Sequence, residues 1–145
     1  MVLAAPTIGN AAYFETVVNE LYDQIEGLDP SGYAYDESDA WTRARVPMQW
    51  TTHLQTWVWL GTAVGGTPAD WRYSGVVFTG LRYVPESDSH SQGVIFAAQR
   101  DLAIALQRFR CRFGRVINVG ECDITPDSGA WFTLSQPFTL ALSRS

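Results

Sequence analysis

Two histidines, His53 and His90, are the chain's only imidazoles, and His90 stands among Asp88, Ser89 and Ser91. A hydroxyl, an imidazole and a carboxylate are the parts of acyl-transfer machinery, in which the base takes the hydroxyl proton and the acid orients the base. Neighbours in sequence rarely hold that geometry, because the three groups must converge from different elements. This segment reads better as a solvated loop and helix cap. Carboxylates gather at Asp36, Glu37 and Asp39, and again at Glu121 and Asp123, the latter two expected on one face of a strand. General-acid work needs one member of a pair desolvated. Nothing around these residues supplies that, and a polar strand face ending in a turn is the plainer reading.

Other chemistries lack their residues. The acidic loop does not have the spacing of a calcium loop. Cys111 and Cys122 match no zinc spacing and are too few for a disulfide framework. They read as two free, mostly buried thiols, with a pairing between adjacent strands left open. There is no GxxxxGK[ST] loop and no GxGxxG after a strand, so Gly61, Gly65 and Gly66 read as turn glycines. The expectation is a chain with no catalytic residues, no metal and no cofactor.

Aromatic residues are the unusual feature. Trp stands at 41, 50, 57, 59, 71 and 131. Trp57 and Trp59 share one face of a strand, with Val58 on the other. If Val58 faces the core, both indoles face outward. Such a pair suits a subunit interface, where Trp and Tyr are enriched, or an aromatic pocket, or plain core packing. All basic residues are Arg, with no Lys anywhere. Arg favours bidentate and stacked contacts, although a coding bias explains the usage better. Trp41, Arg43 and Arg45 join Trp57 and Trp59 as candidate interface residues, and Asp36, Glu37 and Asp39 form a candidate interface or lumen loop.

The elements that must position these residues follow from periodicity. Phe14, Val17, Val18, Leu21, Ile25 and Leu28 recur at three- and four-residue spacing, which predicts a helix from about Asn10 to Gly27. A loop spans Asp29–Asp39. Strands are expected at Trp41–Met48, where Pro47 demands an edge position or a bulge, at Thr51–Gly61, and at Tyr73–Val84. Thr62–Trp71 reads as a turn-rich connection and Glu86–His90 as a polar loop. A second helix over Gln92–Phe109 buries Val94, Ile95, Ala98, Leu102, Ala105, Leu106 and Phe109. Two strands close the chain, Arg115–Ile124 and Ala130–Leu142, with a turn at Thr125–Gly129. The expectation is one α+β domain over residues 1–145, a mostly antiparallel sheet with two helices packed on one face, in the order α-β-β-β-α-β-β.

Composition narrows the class. The chain has 145 residues, 46% hydrophobic and 17% charged, with a formal charge of −5. That is room for one domain with its own core. The charged fraction is below the usual ~25%, as expected where part of a surface is covered by a partner. An acidic chain lacks the basic stripe of a nucleic-acid binder. Neither a signal peptide nor a membrane span is legible, so a cytosolic site of synthesis is expected.

The layout resembles the tail-terminator proteins of long-tailed bacteriophages. The resemblance runs over nearly the whole chain as pattern and order. It comprises an opening helix, the proline-bearing WTRARVPMQW, the strand YSGVVFTGLRYVP, a polar loop leading into SDSHSQGVIFAAQRDLAIALQRF, and the closing SGAWFTLSQPFTLAL. The Trp-bearing strand at His53–Leu60 and the glycine loop after it depart from that pattern. The resemblance implies a virion protein, assembled in the host cytoplasm. It would form a ring, usually of six copies, on the head-proximal end of the tail tube, stopping tube growth and meeting the head–tail connector. DNA would pass through the lumen without specific binding. It implies no catalytic residues. Other neck, connector or tube proteins of the same machine are the nearest alternatives. A small enzyme or ligand-binding barrel of the nuclear-transport-factor-like type is an alternative of another class, and an uncharacterised bacterial dimer of the same fold is a third.

Overall fold

The computed structural model describes residues 11–28, 40–47, 49–67, 70–82, 88–127 and 129–143. Its elements are α1 (Ala11–Glu26), β1 (Thr42–Arg43), β2 (Gln55–Thr67), β3 (Asp70–Arg82), α2 (Asp88–Arg108), β4 (Arg110–Cys111), β5 (Gly114–Val119), β6 (Asp123–Pro126) and β7 (Trp131–Ser143). The order is the expected α-β-β-β-α-β-β, with a short β4 added and the expected fourth strand divided into β5 and β6.

Among the described residues the strands form one seven-stranded sheet in the order β1-β2-β3-β7-β5-β4, with β6 also on β7. Every pairing is antiparallel except β1 with β2. β3 and β7 pair without interruption from Asp70↔Ser143 to Arg82↔Trp131, so their side chains alternate strictly between the two faces. On one face lie Leu54, Val58, Val77, Leu81, Leu134, Phe138, Leu140 and Leu142, all buried. They form one core with Val17, Leu21 and Ile25 of α1 and Val94, Ala98, Leu102 and Leu106 of α2. Both apolar helix stripes therefore find the same sheet face, which is the expected arrangement.

Several boundaries differ from the sequence expectation. Among the described residues of Trp41–Met48, only Thr42 and Arg43 form a strand. Ala44 N–H still donates to Thr56 O, but Gln49 N–H then closes a turn onto Val46 O. Pro47 has no N–H to continue a ladder. β1 lies at the edge of the sheet, and Pro47 falls beyond it in the turn. The expected turn-rich stretch Thr62–Trp71 is instead the end of a long hairpin. β2 runs on to Thr67, with register irregularities between Leu60 and Ala63 and between Ala63 and Gly65. Glycine there accommodates bulges inside a strand. Part of the expected Thr125–Gly129 turn is β6, and α2 begins at Asp88, inside the expected polar loop.

Two close approaches depend on glycine. A Cβ on Gly75 would stand 2.5 Å from Phe138 Cζ, and one on Gly80 would overlap the Trp50 ring. Leu54 holds the left-handed region at φ 65° while fully buried. Its N–H donates to Gly80 O and its carbonyl accepts from Thr42 N–H, so packing on both sides holds a backbone state that costs a leucine about 1 kcal/mol.

Candidate functional site: an aromatic sheet face

The face of the sheet away from the helices is the one surface built from the residues singled out by sequence. Trp57 pairs across to Phe78 and Trp59 to Val76; on β7, Phe78 meets Ser135 and Val76 meets Pro137. Val58 turns into the core at 6% exposure, while Trp59 is 51% exposed. The indoles therefore face outward, as the alternation requires. Trp57, Val76, Phe78 and Pro137 are half-buried. The Trp59 ring leans along the strand over Gly61, which has no side chain to block it.

The ends of this face are closed differently. Trp50 lies across Gly80 and donates from Nε1 to Thr133 Oγ1 at 3.0 Å. It is buried, as is Thr133 beneath it. Beyond it, Arg82 stands 5.9 Å over the Trp131 ring. At the other end Arg72 and Arg115 flank Ala141 on the neighbouring strands. Arg72, Arg82 and Arg115 are exposed, and so is Asp123, which lies opposite Ser135. The face has an apolar, aromatic centre and a charged rim, on which Asp127 also stands, accepting from Thr133 Oγ1 at 3.3 Å; an apolar centre with a polar rim is the anatomy of a protein interface.

The remaining candidates separate from this face. Trp41 is not a surface residue: at 3% exposure it belongs to the core cluster, because β1 tucks its leading residue under the chain. Arg43 is occupied within the chain. Its guanidinium stacks 3.8 Å over the Tyr22 ring, donates to Asn19 Oδ1 at 3.2 Å and lies 3.9 Å from Glu26. It pins β1 to α1 and does not look toward the tryptophans. Arg45 is exposed and borders a cleft with Val46, Gln49 and Gln55. Asp36, Glu37 and Asp39 lie outside the described residues.

Tyr22 has a role that sequence reasoning did not assign. Its hydroxyl accepts the Val58 N–H at 2.7 Å, just past the point where β1 stops pairing with β2. A side chain from α1 thus replaces the missing ladder bond. Burial raises the Tyr22 pKa, partly opposed by the Val58 hydrogen bond and by Arg43.

The groups considered for chemistry do not assemble. His53 precedes β2 in a turn, and its Nδ1 accepts the Arg82 N–H at 2.9 Å, a backbone-capping job. The side chains of Asp88, Ser89, His90 and Ser91 lie outside the described ones. Glu121 sits in the irregular stretch before β6, so it and Asp123 do not share a regular strand face; both are exposed. Cys111 and Cys122 are free and half-buried. Burial pushes both thiols up, assisted at Cys111 by Glu20 and at Cys122 by Asp123, which disfavours the reactive thiolate. Among the described residues no group of three His, Cys, Asp or Glu is placed to hold a metal, and no helix is long and apolar enough to cross a membrane.

A cleft of about 440 Å³ opens beside α1, lined by Glu15, Val18, Asn19, Leu60, Gly61 and Tyr73. It lies on the flank of α1 that carries Arg43. The opposite flank carries Gln24, which donates to Ala105 O of α2. No protein-family model matches the chain, and no curated protein matches it either.

Proposed function

We propose that this chain is a structural assembly subunit of the tail-terminator kind, forming a closed ring at the head-proximal end of a phage tail tube. In that role it would stop tube growth and present a surface to the head–tail connector. The observation that carries the reading is the open aromatic sheet face: Trp57, Trp59, Val76, Phe78 and Pro137 lie on the side of the sheet that neither helix covers. A contiguous apolar centre with a charged rim marks an interaction surface. Ring formation needs two different, complementary surfaces on each copy, and the outer sheet face supplies one of them. The resemblance in element order is what supports a virion tail as the setting of that assembly. Other neck or connector subunits of the same machine share these requirements and differ in position.

Adding the purified protein to a polymerising tail-tube protein tests the proposal. Tubes that shorten and acquire a cap at one end, in proportion to the protein added, are the expected result. Tubes of unchanged length with no bound protein would overturn it; binding to the connector alone would move the chain to the head side of the joint.

The cleft beside α1 favours a second reading, a small ligand-binding domain. Its apolar floor of Val18, Leu60 and Tyr73 with Glu15 and Asn19 at the rim suits a small amphipathic molecule. A chain that stays monomeric and is stabilised against heat by such a molecule would favour it.

A further inference from the structure

β2 is 13 residues long, yet β1 covers its outer edge at only two pairs, Thr42↔Gln55 and Arg43↔Thr56. Among the described residues no strand follows β1 outward, so from Trp57 onward β2 itself borders the sheet. Three bonds fix the direction of its backbone groups. Leu54 O accepts from Thr42 N–H, Thr56 O accepts from Ala44 N–H, and Val58 N–H donates to the Tyr22 hydroxyl. Thr56 and Val58 therefore turn their backbone groups away from β3. Pairing with β3 runs unbroken from Gln55↔Gly80 to Leu60↔Gly75, so alternation points the Leu60 N–H and C=O outward as well. Leu60 is half-exposed, and no described residue takes up either group.

An open edge is a template for another strand, and folded chains blunt it with charges, prolines or very short edge strands. The opposite border of this sheet is blunted in that way. β4 is two residues long, and Arg108, Arg110, Arg112 and Arg115 stand in or beside it, all exposed. The β2 sequence QTWVWLGTAVGGT holds no charge and no proline. Only the register irregularities after Leu60 interrupt it, and they confine regular pairing to Trp57–Leu60. Apolar surfaces flank that stretch on both sides. Toward the helices lies the cleft of about 440 Å³ with Val18, Leu60 and Tyr73 in its lining. On the outer face stand Trp57 and the half-exposed Trp59.

We infer that the Trp57–Leu60 edge of β2 accepts an extended apolar segment of another polypeptide as an added strand, in the row that β1 vacates. The backbone selects this class of partner. Leu60 offers a donor and an acceptor side by side, which an extended main chain matches. A helix keeps its own groups bonded internally, and a small molecule in the cleft leaves Leu60 unmet. In the added strand, the residue opposite Leu60 shares its face and enters the cleft. Its neighbours stand on the outer face, one of them against Trp59, where aromatic and β-branched side chains pair well. Strand addition here does not depend on ring closure.

Amide exchange on the dilute full chain is the first test. The Leu60 amide should exchange fast, while the Trp57 and Trp59 amides, which face β3, stay protected. A protected Leu60 amide in the monomer means that the chain covers its own edge, and overturns the inference. The binding probes are fluorescent heptapeptides of threonine alternating with valine, isoleucine, leucine, phenylalanine or tyrosine, with a lysine at each end for solubility. At least one should bind and slow Leu60 exchange. N-methylating the central peptide amide that faces Leu60 O should weaken binding about tenfold, the scale of one backbone hydrogen bond. Methylating the next amide, which faces away, should change little. On the protein, Leu60→Pro deletes the outward N–H and leaves the ladder with β3 intact, and Val18→Phe fills the cleft and leaves the β2 backbone alone. Each should weaken binding about tenfold at unchanged circular dichroism; if Leu60→Pro does not fold, Val18→Phe and the methylated peptides decide. Failure of every peptide to bind, or binding indifferent to the facing methyl group, overturns the inference. Leu60 protection that rises with protein concentration alone keeps it and names a second copy as the source of the strand. Tail tubes that ignore the protein would strike the ring reading and leave strand addition standing.

Discussion

Replacing Tyr22 with phenylalanine isolates one atom that holds β2 where β1 gives out. The ring is buried and keeps Arg43 stacked 3.8 Å above it. Only the hydroxyl that accepts the Val58 N–H at 2.7 Å is lost. A buried donor left unpaired costs about 1–3 kcal/mol. Removing the hydroxyl also relieves its own desolvation, so the lower part of that range applies, about 1–2 kcal/mol. At roughly 2–4 °C per kcal/mol for a chain of this size, Tm falls by about 2–8 °C. Urea denaturation should show a lower midpoint with an unchanged slope, because the surface exposed on unfolding is the same. Hydrogen exchange supplies the local readout: the Val58 amide should exchange faster, beyond the change at neighbouring β2 amides. Arg43→Ala serves as the comparison, since it removes the stacked cation and leaves the hydrogen bond, and should cost about 0.5–1 kcal/mol. A Tyr22→Phe stability within about 0.3 kcal/mol of wild type, or a Val58 amide that exchanges as before, would refute the reasoning, because the bond would then have no net value.

Thr79 gives a change of opposite sign. It is fully buried on the core face, and among the described residues its hydroxyl has no hydrogen-bond partner; Thr79→Val should leave stability unchanged or raise it by about 1 kcal/mol in denaturant melts. Gly75→Ala places a methyl 2.5 Å from Phe138 Cζ and Gly80→Ala drives one into the Trp50 ring, so each should lose about 1–3 kcal/mol. Gly80→Ala should also alter tryptophan emission, because displacing Trp50 breaks its bond to Thr133. Stability should fall in alkali. Burial raises the pKa of Cys111, Cys122 and Tyr22 in the folded chain, so the folded state holds these protons more tightly than the unfolded one. The contribution is present in full below the thiols' ordinary value of 9.0 and is lost as pH rises through the raised folded values. Denaturant midpoints taken upward from neutrality should decline past that point, and Cys111→Ser with Cys122→Ser should flatten the first part of the decline.

Helix periodicity made both helices legible, because an apolar residue every third or fourth position has one physical solution when a sheet face needs covering. α2 shows where that logic stops. Its buried stripe was readable, but Phe96 and Ile104 on the far side look like noise until burial separates the two faces. The outward direction of Trp57 and Trp59 followed from Val58 between them. Their shared surface with Val76, Phe78 and Pro137 did not, because it depends on register between strands far apart in the chain. Trp41 was misassigned for a related reason: a tryptophan at a strand start is as ready for the core as for an interface, and position beside α1 decides. Glycine misled most in β2. Gly61, Gly65 and Gly66 carry the signal of a turn, yet they lie in or beside the irregular stretch of an extended hairpin strand. Tyr22 left no signal at all, since the need for its hydroxyl arises only where β1 ends after two residues.

The mass of the native wild-type protein, measured by light scattering across a concentration series and followed by imaging of the same peak, tests the central claim most directly. The account predicts closed rings of uniform copy number, at rising concentration or on addition of tail-tube protein. A stable monomer or two-fold dimer indifferent to tube protein would contradict it.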